Sequence, residues 1–209
     1  MISHKHQCIF IHIPRCGGTS IEYIIWPNEE DRNVNNLWMG FISKYKNKYQ
    51  TGGLQHLLAT QIQVEVGNTV FKKYFKFAFV RNPWDKAVSQ FLYMKQRMDL
   101  RSFIGMDKND DFKKYLYLIQ KKSHVQWKPQ YTFLENKDGK VLVDFIGRFE
   151  CFENDVLRIL KKIRFDKIVK IPHIMKSKRI HYRFYYDSES EEIVRNIYKI
   201  DISKFGYSF

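Results

Sequence analysis

The sequence has few cysteines, few acidic residues and no long apolar run. Of its 209 residues only three are cysteines, at positions 8, 16 and 151. An odd number at such wide spacing fits neither a disulfide framework nor a zinc site, and it predicts a reducing compartment. No run approaches the roughly 20 apolar residues that span a bilayer, and the polar start Met1–Gln7 is unlike a secretion signal. The sequence therefore predicts a soluble, cytoplasmic protein.

The shortage of acidic residues leaves a formal net charge of +14, with 36 basic residues against 22 acidic ones. From residue 71 onward there are 30 basic and 17 acidic residues, and the densest stretch, Arg158–Arg183, contains ten basic residues and one acid, Asp166. Such a stretch is either a solvated basic face or the binding surface for an anion. Nucleic acid, a membrane surface and a small polyphosphate all satisfy the second reading, and composition alone does not choose among them.

What the chain does contain is enough apolar material for a core, because 44% of its residues are hydrophobic and 16% are aromatic. This composition excludes intrinsic disorder, and the length predicts one domain over residues 1–209. Short β-rich runs at Cys8–Ile13 and Tyr74–Val80 alternate with helical patterns, which predicts an α/β fold with a central parallel β-sheet flanked by helices. Asn136–Gly139 predicts a hairpin turn between strands at Tyr131–Glu135 and Lys140–Phe149, and Lys167–Ile171 is a further strand candidate.

The first chemical motif is His12-Ile-Pro-Arg-Cys-Gly-Gly-Thr-Ser20, where a strand passes through two glycines into a helix that Thr19 or Ser20 can cap. Glycines let backbone N–H groups converge on an anion, and the N-terminus of the helix adds partial positive charge. The P-loop pattern G-x-x-x-x-G-K-S/T and the dinucleotide pattern G-x-G-x-x-G are both absent, which disfavours an ATPase, a GTPase or a dinucleotide-binding protein. A purely structural strand–turn–helix corner is the alternative.

The second motif is Phe79-Val-Arg-Asn-Pro-Trp-Asp-Lys-Ala-Val-Ser89. Arg81 follows a buried strand just before a proline turn, and the Ser89 hydroxyl comes on the first turns of the next helix. A cation at the end of a strand and a hydroxyl above it can hold a second phosphate. The alternative is an ion pair between Arg81 and Asp85 at the surface.

Together the two motifs resemble the two halves of the cofactor site in sulfotransferases that use 3′-phosphoadenosine 5′-phosphosulfate (PAPS). Asp144–Glu150, His181–Asp187 and Asp201–Tyr207 look like segments of the family 2 branch, which includes carbohydrate sulfotransferases related to the heparan sulfate 2-O- and 6-O- and chondroitin enzymes. The resemblance covers almost the whole chain, with residues 28–53 and 99–125 the least recognisable. It implies a P-loop-like sheet and in-line transfer of a sulfuryl group from PAPS to a hydroxyl acceptor, such as an oligosaccharide or polysaccharide, without a metal or a specific nucleic acid.

The resemblance also assigns residues to the cofactor. Arg81 and Ser89 would hold the 3′-phosphate, and Lys178 and Arg179 lie where relatives have a loop that closes over the cofactor. The 5′-phosphosulfate would be held by Arg15, Cys16, Gly17, Gly18, Thr19 and Ser20. Arg15 replaces the lysine of most relatives, and because a guanidinium does not release its proton, Arg15 would contribute to catalysis electrostatically.

His56 is the residue that the resemblance implies as the general base, because Gly53-Leu-Gln-His56 looks like the segment that carries the family's histidine. An imidazole with an unperturbed pKa of about 6.5 can take a proton from a sugar hydroxyl. A helix N-terminal or core histidine is the alternative for His56, and His124, His173 and His181 are further candidates for the base. For the whole chain, the alternatives are a non-enzymatic RNA- or polyanion-binding module and an ATP-dependent, kinase-like phosphotransferase.

Overall fold

A computed structural model describes residues 1–38, 54–166, 171 and 179–209. The chain folds into two compact units, the first from residues 1–80 and 132–176 and the second from residues 81–131 and 177–209. The predicted strand at Lys167–Ile171 falls almost wholly outside the described residues.

The first unit contains a four-stranded sheet whose strands follow one another in chain order across it. The strands are β1 (Ile2–Ser3), β2 (Cys8–Ile11), β3 (Phe75–Val80) and β4 (Phe145–Arg148). β2, β3 and β4 run parallel, as predicted, with Phe10 opposite Phe77 and Phe79 opposite Gly147. β1 pairs with β2 in the antiparallel sense, so the sheet of the described residues is mixed rather than wholly parallel.

Helices precede and follow these strands. They are α1 (Gly18–Ile25), α2 (Ala59–Lys73), α3 (Pro83–Met94), α4 (Met98–Ile104), α5 (Phe112–Gln120), α6 (Tyr131–Leu134), α7 (Phe152–Lys162), α8 (Ser188–Ile197) and α9 (Lys199–Phe205). The alternation of strands and helices confirms the predicted α/β class. In the part of the chain that the structure describes, no helix is long and apolar enough to cross a membrane.

The predicted hairpin around Asn136–Gly139 is correct only at its turn. The Gly139 N–H donates to the Asn136 carbonyl over 3.1 Å, and a single antiparallel bridge joins Glu135 to Val141. The strand expected at Tyr131–Glu135 is instead largely helix α6, and the second strand begins only at Phe145, where it pairs with β3. Pairing with a buried central strand removes more apolar surface from water than a two-stranded ribbon does.

Aromatic side chains fill the core of the first unit. All four residues of β2 are buried, and the rings of Phe10 and Phe77 stack with centroids 5.1 Å apart. Gly147 of β4 admits no side chain, because a Cβ there would lie 2.6 Å from the Phe79 ring.

The second unit has a helical core of its own. Its buried cluster includes Trp84, Val88 and Phe91 of α3, which pack with side chains of α5, such as Tyr115, and of α8, such as Val194. The indole N–H of Trp84 donates to the Glu191 carbonyl over 3.1 Å, which ties α3 to α8.

Candidate active site

The loop between β2 and α1 has the backbone of an anion-binding turn. Arg15 has φ +65° and Gly17 has φ +85°, while Cys16 between them is not in the left-handed region. Backbone φ values of alternating sign turn successive N–H groups toward one side, which produces a concave, partly positive nest. A left-handed arginine costs about 1–2 kcal/mol, and such strain is characteristic of binding and catalytic sites.

Gly17 is the N-cap of α1, and as a glycine it has no side chain that could cap the helix. The expectation that Thr19 or Ser20 caps the helix is therefore wrong, since both residues lie inside its first turn. The Ser20 N–H donates to the Gly17 carbonyl over 3.1 Å. Thr19 is half-buried and Ser20 is buried. Both residues lie in the first turn of α1, directly after the loop.

Gly18 is required by the packing of His12 over the start of α1. A Cβ at residue 18 would lie 1.8 Å from His12 Nε2, a distance that no side chain can occupy. The other ring nitrogen of His12, Nδ1, lies 2.9 Å from Glu22 Oε1 of α1, and both side chains are buried. His12 therefore connects the end of β2 to α1.

Cys16 is buried, and its thiol donates to the Pro14 carbonyl with Sγ 3.5 Å from the oxygen. This position agrees with a packing role for the side chain and a backbone contribution to the loop. The three cysteines are all reduced.

His56 lies beside the same loop, at the end of the short 3₁₀ turn Leu54–His56. Its Nδ1 is 3.0 Å from the carbonyl oxygen of His12, and the two imidazole centroids are 4.6 Å apart. Because a carbonyl only accepts, Nδ1 carries the proton, and a neutral His56 then has its lone pair on Nε2. The structure thus brings together the loop and the histidine that the sequence predicts as a base.

In the second unit, Arg81 is part of a buried cluster with two guanidinium groups and one carboxylate. Arg81 Nε and Nη2 lie 2.7 and 2.6 Å from Asp85 Oδ2. Arg179 pairs with the other carboxylate oxygen, Oδ1. The predicted Arg81–Asp85 ion pair is present, but it is not at the surface, since only 8% of the Arg81 side chain and 16% of the Asp85 side chain are exposed.

Both guanidinium groups of this cluster stay protonated. Ser89 is buried one helical turn beyond Asp85 on α3, and residues four apart lie on the same face of a helix. The structure therefore unites Arg81 and Arg179 and places Ser89 on the helix face that carries Asp85. Lys178 lies outside the described residues.

Two buried residues that the sequence does not single out hold Arg81. The Gln130 side chain accepts from the Arg81 N–H over 2.9 Å and donates to the Arg81 carbonyl over 2.8 Å. Asp201 in turn accepts from the Gln130 and Tyr131 N–H groups, each over 2.8 Å. Burial raises the pKa of Asp201. The family resemblance includes the segment Asp201–Tyr207 but assigns no role to Asp201. No sequence motif includes Gln130.

The described residues thus define an α/β protein in which the loop between β2 and α1 has the geometry of a nest, and the second unit contains a buried cluster of two guanidinium groups and one carboxylate. A sequence model of the sulfotransferase family matches residues 1–208. The chain belongs to this family, in its family 2 branch, which confirms the membership predicted from the two motifs and supports a sulfotransferase enzyme.

A protein of Archaeoglobus fulgidus, described as uncharacterized, is 36% identical over 110 residues, which cover 50% of this chain and 80% of that relative. No solved structure matches the chain.

Proposed function

We propose that the protein transfers a sulfuryl group from PAPS to a hydroxyl acceptor, with His56 as the general base. The observation that carries this proposal is the hydrogen bond from His56 Nδ1 to the His12 carbonyl, at the base of the anion-binding loop. That bond orients the ring and leaves Nε2 as the basic atom. PAPS is the family's usual donor, and when bound it supplies an activated sulfuryl group.

The loop would hold the 5′-phosphosulfate. Its left-handed Arg15 and Gly17, followed by the N-terminus of α1, are suited to an oxyanion, because backbone N–H groups and the helix dipole both favour negative charge there. Arg15 would neutralise charge that develops on the leaving oxygen, and it would do so without giving up a proton.

The cluster in the second unit would hold the 3′-phosphate. Its fit rests on side-chain chemistry, because guanidinium groups recognise phosphate through charge-assisted hydrogen bonds and two of them meet in this cluster. Ser89 would add a hydroxyl, and Lys178 with Arg179 would contribute from the basic segment.

His56 would take the acceptor's proton at Nε2 while its Nδ1–H stays on the His12 carbonyl. The imidazolium formed in this step keeps the same hydrogen bond, so the ring need not move during the proton transfer.

We also propose a carbohydrate acceptor and a single functional domain over residues 1–209. The acceptor class rests on the family 2 resemblance of Asp144–Glu150 and His181–Asp187, and the single domain on the family match over residues 1–208. A cytoplasmic location stays a prediction, which rests on the cysteine content of the sequence.

Thermal unfolding with three different anions tests the proposal. Adenosine 3′,5′-bisphosphate, the product of PAPS, should stabilise the protein by about 2.7 kcal/mol at 100 times its Kd. ATP with Mg²⁺ and a single-stranded RNA are the comparison ligands. Stabilisation by ATP alone would favour a kinase-like enzyme, and stabilisation by RNA alone, lost steeply with salt, would favour a polyanion-binding module.

A further inference from the structure

Arg81 directly follows β3, and among the described residues no strand pairs with it. β3 ends at Val80, and α3 begins at Pro83 after its N-cap, Asn82. A buried backbone N–H or carbonyl without a partner costs about 1–3 kcal/mol, so this connection needs another source of hydrogen bonds.

The Gln130 amide provides both of these hydrogen bonds. Its Oε1 accepts from the Arg81 N–H over 2.9 Å, and its Nε2 donates to the Arg81 carbonyl over 2.8 Å. Gln130 is fully buried, with 0% of its surface exposed. A side-chain amide that holds both backbone groups of one residue fixes the plane of its backbone, and with it the direction in which the side chain leaves the backbone.

Gln130 is itself held by a second buried residue. Asp201 of α9 is 0% exposed, and its two carboxylate oxygens accept from the backbone N–H groups of Gln130 and Tyr131. The chain of contacts thus runs from α9 through the Gln130 backbone and amide to Arg81. At its far end, the Arg81 guanidinium meets Asp85.

We propose that Gln130, anchored by Asp201, is a positioning residue that directs Arg81 toward the 3′-phosphate and sets the preference for nucleotides that carry one. This inference rests on the proposed function. An arginine whose backbone and guanidinium are both fixed loses little further conformational freedom on binding, which favours the ligand that it is aimed at. Gln130 would act without touching the nucleotide.

The test compares two nucleotides that differ in one group. Adenosine 3′,5′-bisphosphate and adenosine 5′-monophosphate share the base, the ribose and the 5′-phosphate, and only the first has a 3′-phosphate. The Kd of the monophosphate divided by the Kd of the bisphosphate, both measured by titration calorimetry, gives the preference for the 3′-phosphate. In metal sites, loss of a residue that orients a ligand lowers metal affinity about 10- to 100-fold. Gln130 would orient Arg81 in the same way, so we expect Gln130→Met to lower this ratio by at least about tenfold.

A matched control is available in the same unit. Gln90 on α3 is also buried, at 1% exposure, and its amide makes no hydrogen bond within the described part of the chain. Gln90→Met makes the same chemical change at another buried position of the same unit, and it should leave the preference for the 3′-phosphate unchanged.

Gln130→Glu is the second variant, because it preserves the shape and keeps the acceptor for the Arg81 N–H while losing the donor to the Arg81 carbonyl. It should lower the preference less than Gln130→Met does, and Asp201→Asn should lower it through the Gln130 backbone. If the Met variant does not fold, an unchanged ratio in both of these variants overturns the inference.

Equal weakening of both nucleotides in Gln130→Met would mean that Gln130 is only structural, and would also overturn it. A wild-type protein that binds neither nucleotide would instead overturn the proposed function.

Discussion

The loop at Pro14–Ser20 and the cluster around Arg81 both gather positive charge, the first with backbone and the second with side chains. In the loop, two left-handed residues and the start of α1 would form the anion-binding surface, and the side chain of Cys16 is buried. In the cluster, two guanidinium groups meet one carboxylate inside a helical unit.

This difference predicts how each region responds to mutation. A backbone site tolerates changes in side-chain chemistry but not in volume, because any added atom displaces the N–H groups. A side-chain site tolerates small changes in shape, but it loses its ligand when a charge is removed. Arg15 and His56 are the exceptions in the first region, since their side chains would take part in the chemistry.

The largest effect should follow from His56→Ala. A positioned general base contributes about 10²- to 10⁴-fold, so turnover should fall by that factor while the Kd of adenosine 3′,5′-bisphosphate stays the same. Turnover is measured with labelled PAPS and the Kd by calorimetry. His4→Ala, an exposed histidine in the same unit, is the control and should keep its turnover. Normal turnover in His56→Ala would assign the base elsewhere.

Gly18→Ala should come next, because its methyl group would sit 1.8 Å from His12 Nε2. Overpacking costs about 1–3 kcal/mol, and we expect at least the upper value in urea denaturation, together with weaker nucleotide binding. Gly139→Ala has open space around it and should lose only the cost of its left-handed turn, about 1–2 kcal/mol. If Gly18→Ala proved as stable as the wild type, the packing of His12 over α1 would be refuted.

Arg81→Met should leave the fold intact, because Arg179 still neutralises Asp85. A charge-assisted hydrogen bond contributes about 1.5–3 kcal/mol, so the affinity for adenosine 3′,5′-bisphosphate should fall roughly 30-fold, with little change for adenosine 5′-monophosphate. Calorimetry with both nucleotides gives the two values.

Arg97→Met is the control, since it breaks an exposed ion pair with Asp99 in the same unit. An unchanged affinity in Arg81→Met would leave the cluster with a structural role only.

Asp201, which holds Gln130 beside the cluster around Arg81, should make the free energy of unfolding depend on pH. Burial raises its pKa in the folded protein, so the folded state binds more protons than the unfolded state above about pH 4. Its contribution to stability is therefore present at low pH and is lost as the pH rises through the folded pKa. In Asp201→Asn, the part of the pH dependence of the free energy of unfolding that comes from Asp201 should disappear. Urea denaturation from about pH 4 to about pH 7 would detect this loss. Parallel curves for the two proteins would contradict the raised pKa.

The smallest effect should follow from Cys16→Ala, because the loop would use the backbone of Cys16 rather than its thiol. Turnover with labelled PAPS should be largely retained. In the native wild type, a thiol reagent should modify exposed Cys151 first, since Cys16 is buried and burial raises the pKa of Cys8 to about 12. Loss of all turnover in Cys16→Ala would give the thiol a chemical role.

Local patterns predicted much of this architecture, because strands β2 and β3 and the turn at Asn136–Gly139 depend on neighbouring residues. β1 is only two residues long and therefore shows no periodicity, although its partners in β2 are close in sequence. The parallel pairing of β4 joins β3 to a segment far along the chain, which periodicity does not encode. The same holds for the site. Arg15, Gly17 and Arg81 stand in recognisable motifs, whereas the contacts of Gln130 and Asp201 join segments 49 and 71 residues apart.

Sulfotransfer is tested most directly by following labelled sulfate from PAPS to a panel of oligosaccharide and polysaccharide acceptors. We expect label on at least one acceptor, with adenosine 3′,5′-bisphosphate formed in equal amount and no requirement for ATP. Phosphate transfer from ATP to the same panel, with no sulfate transfer from PAPS, would contradict it.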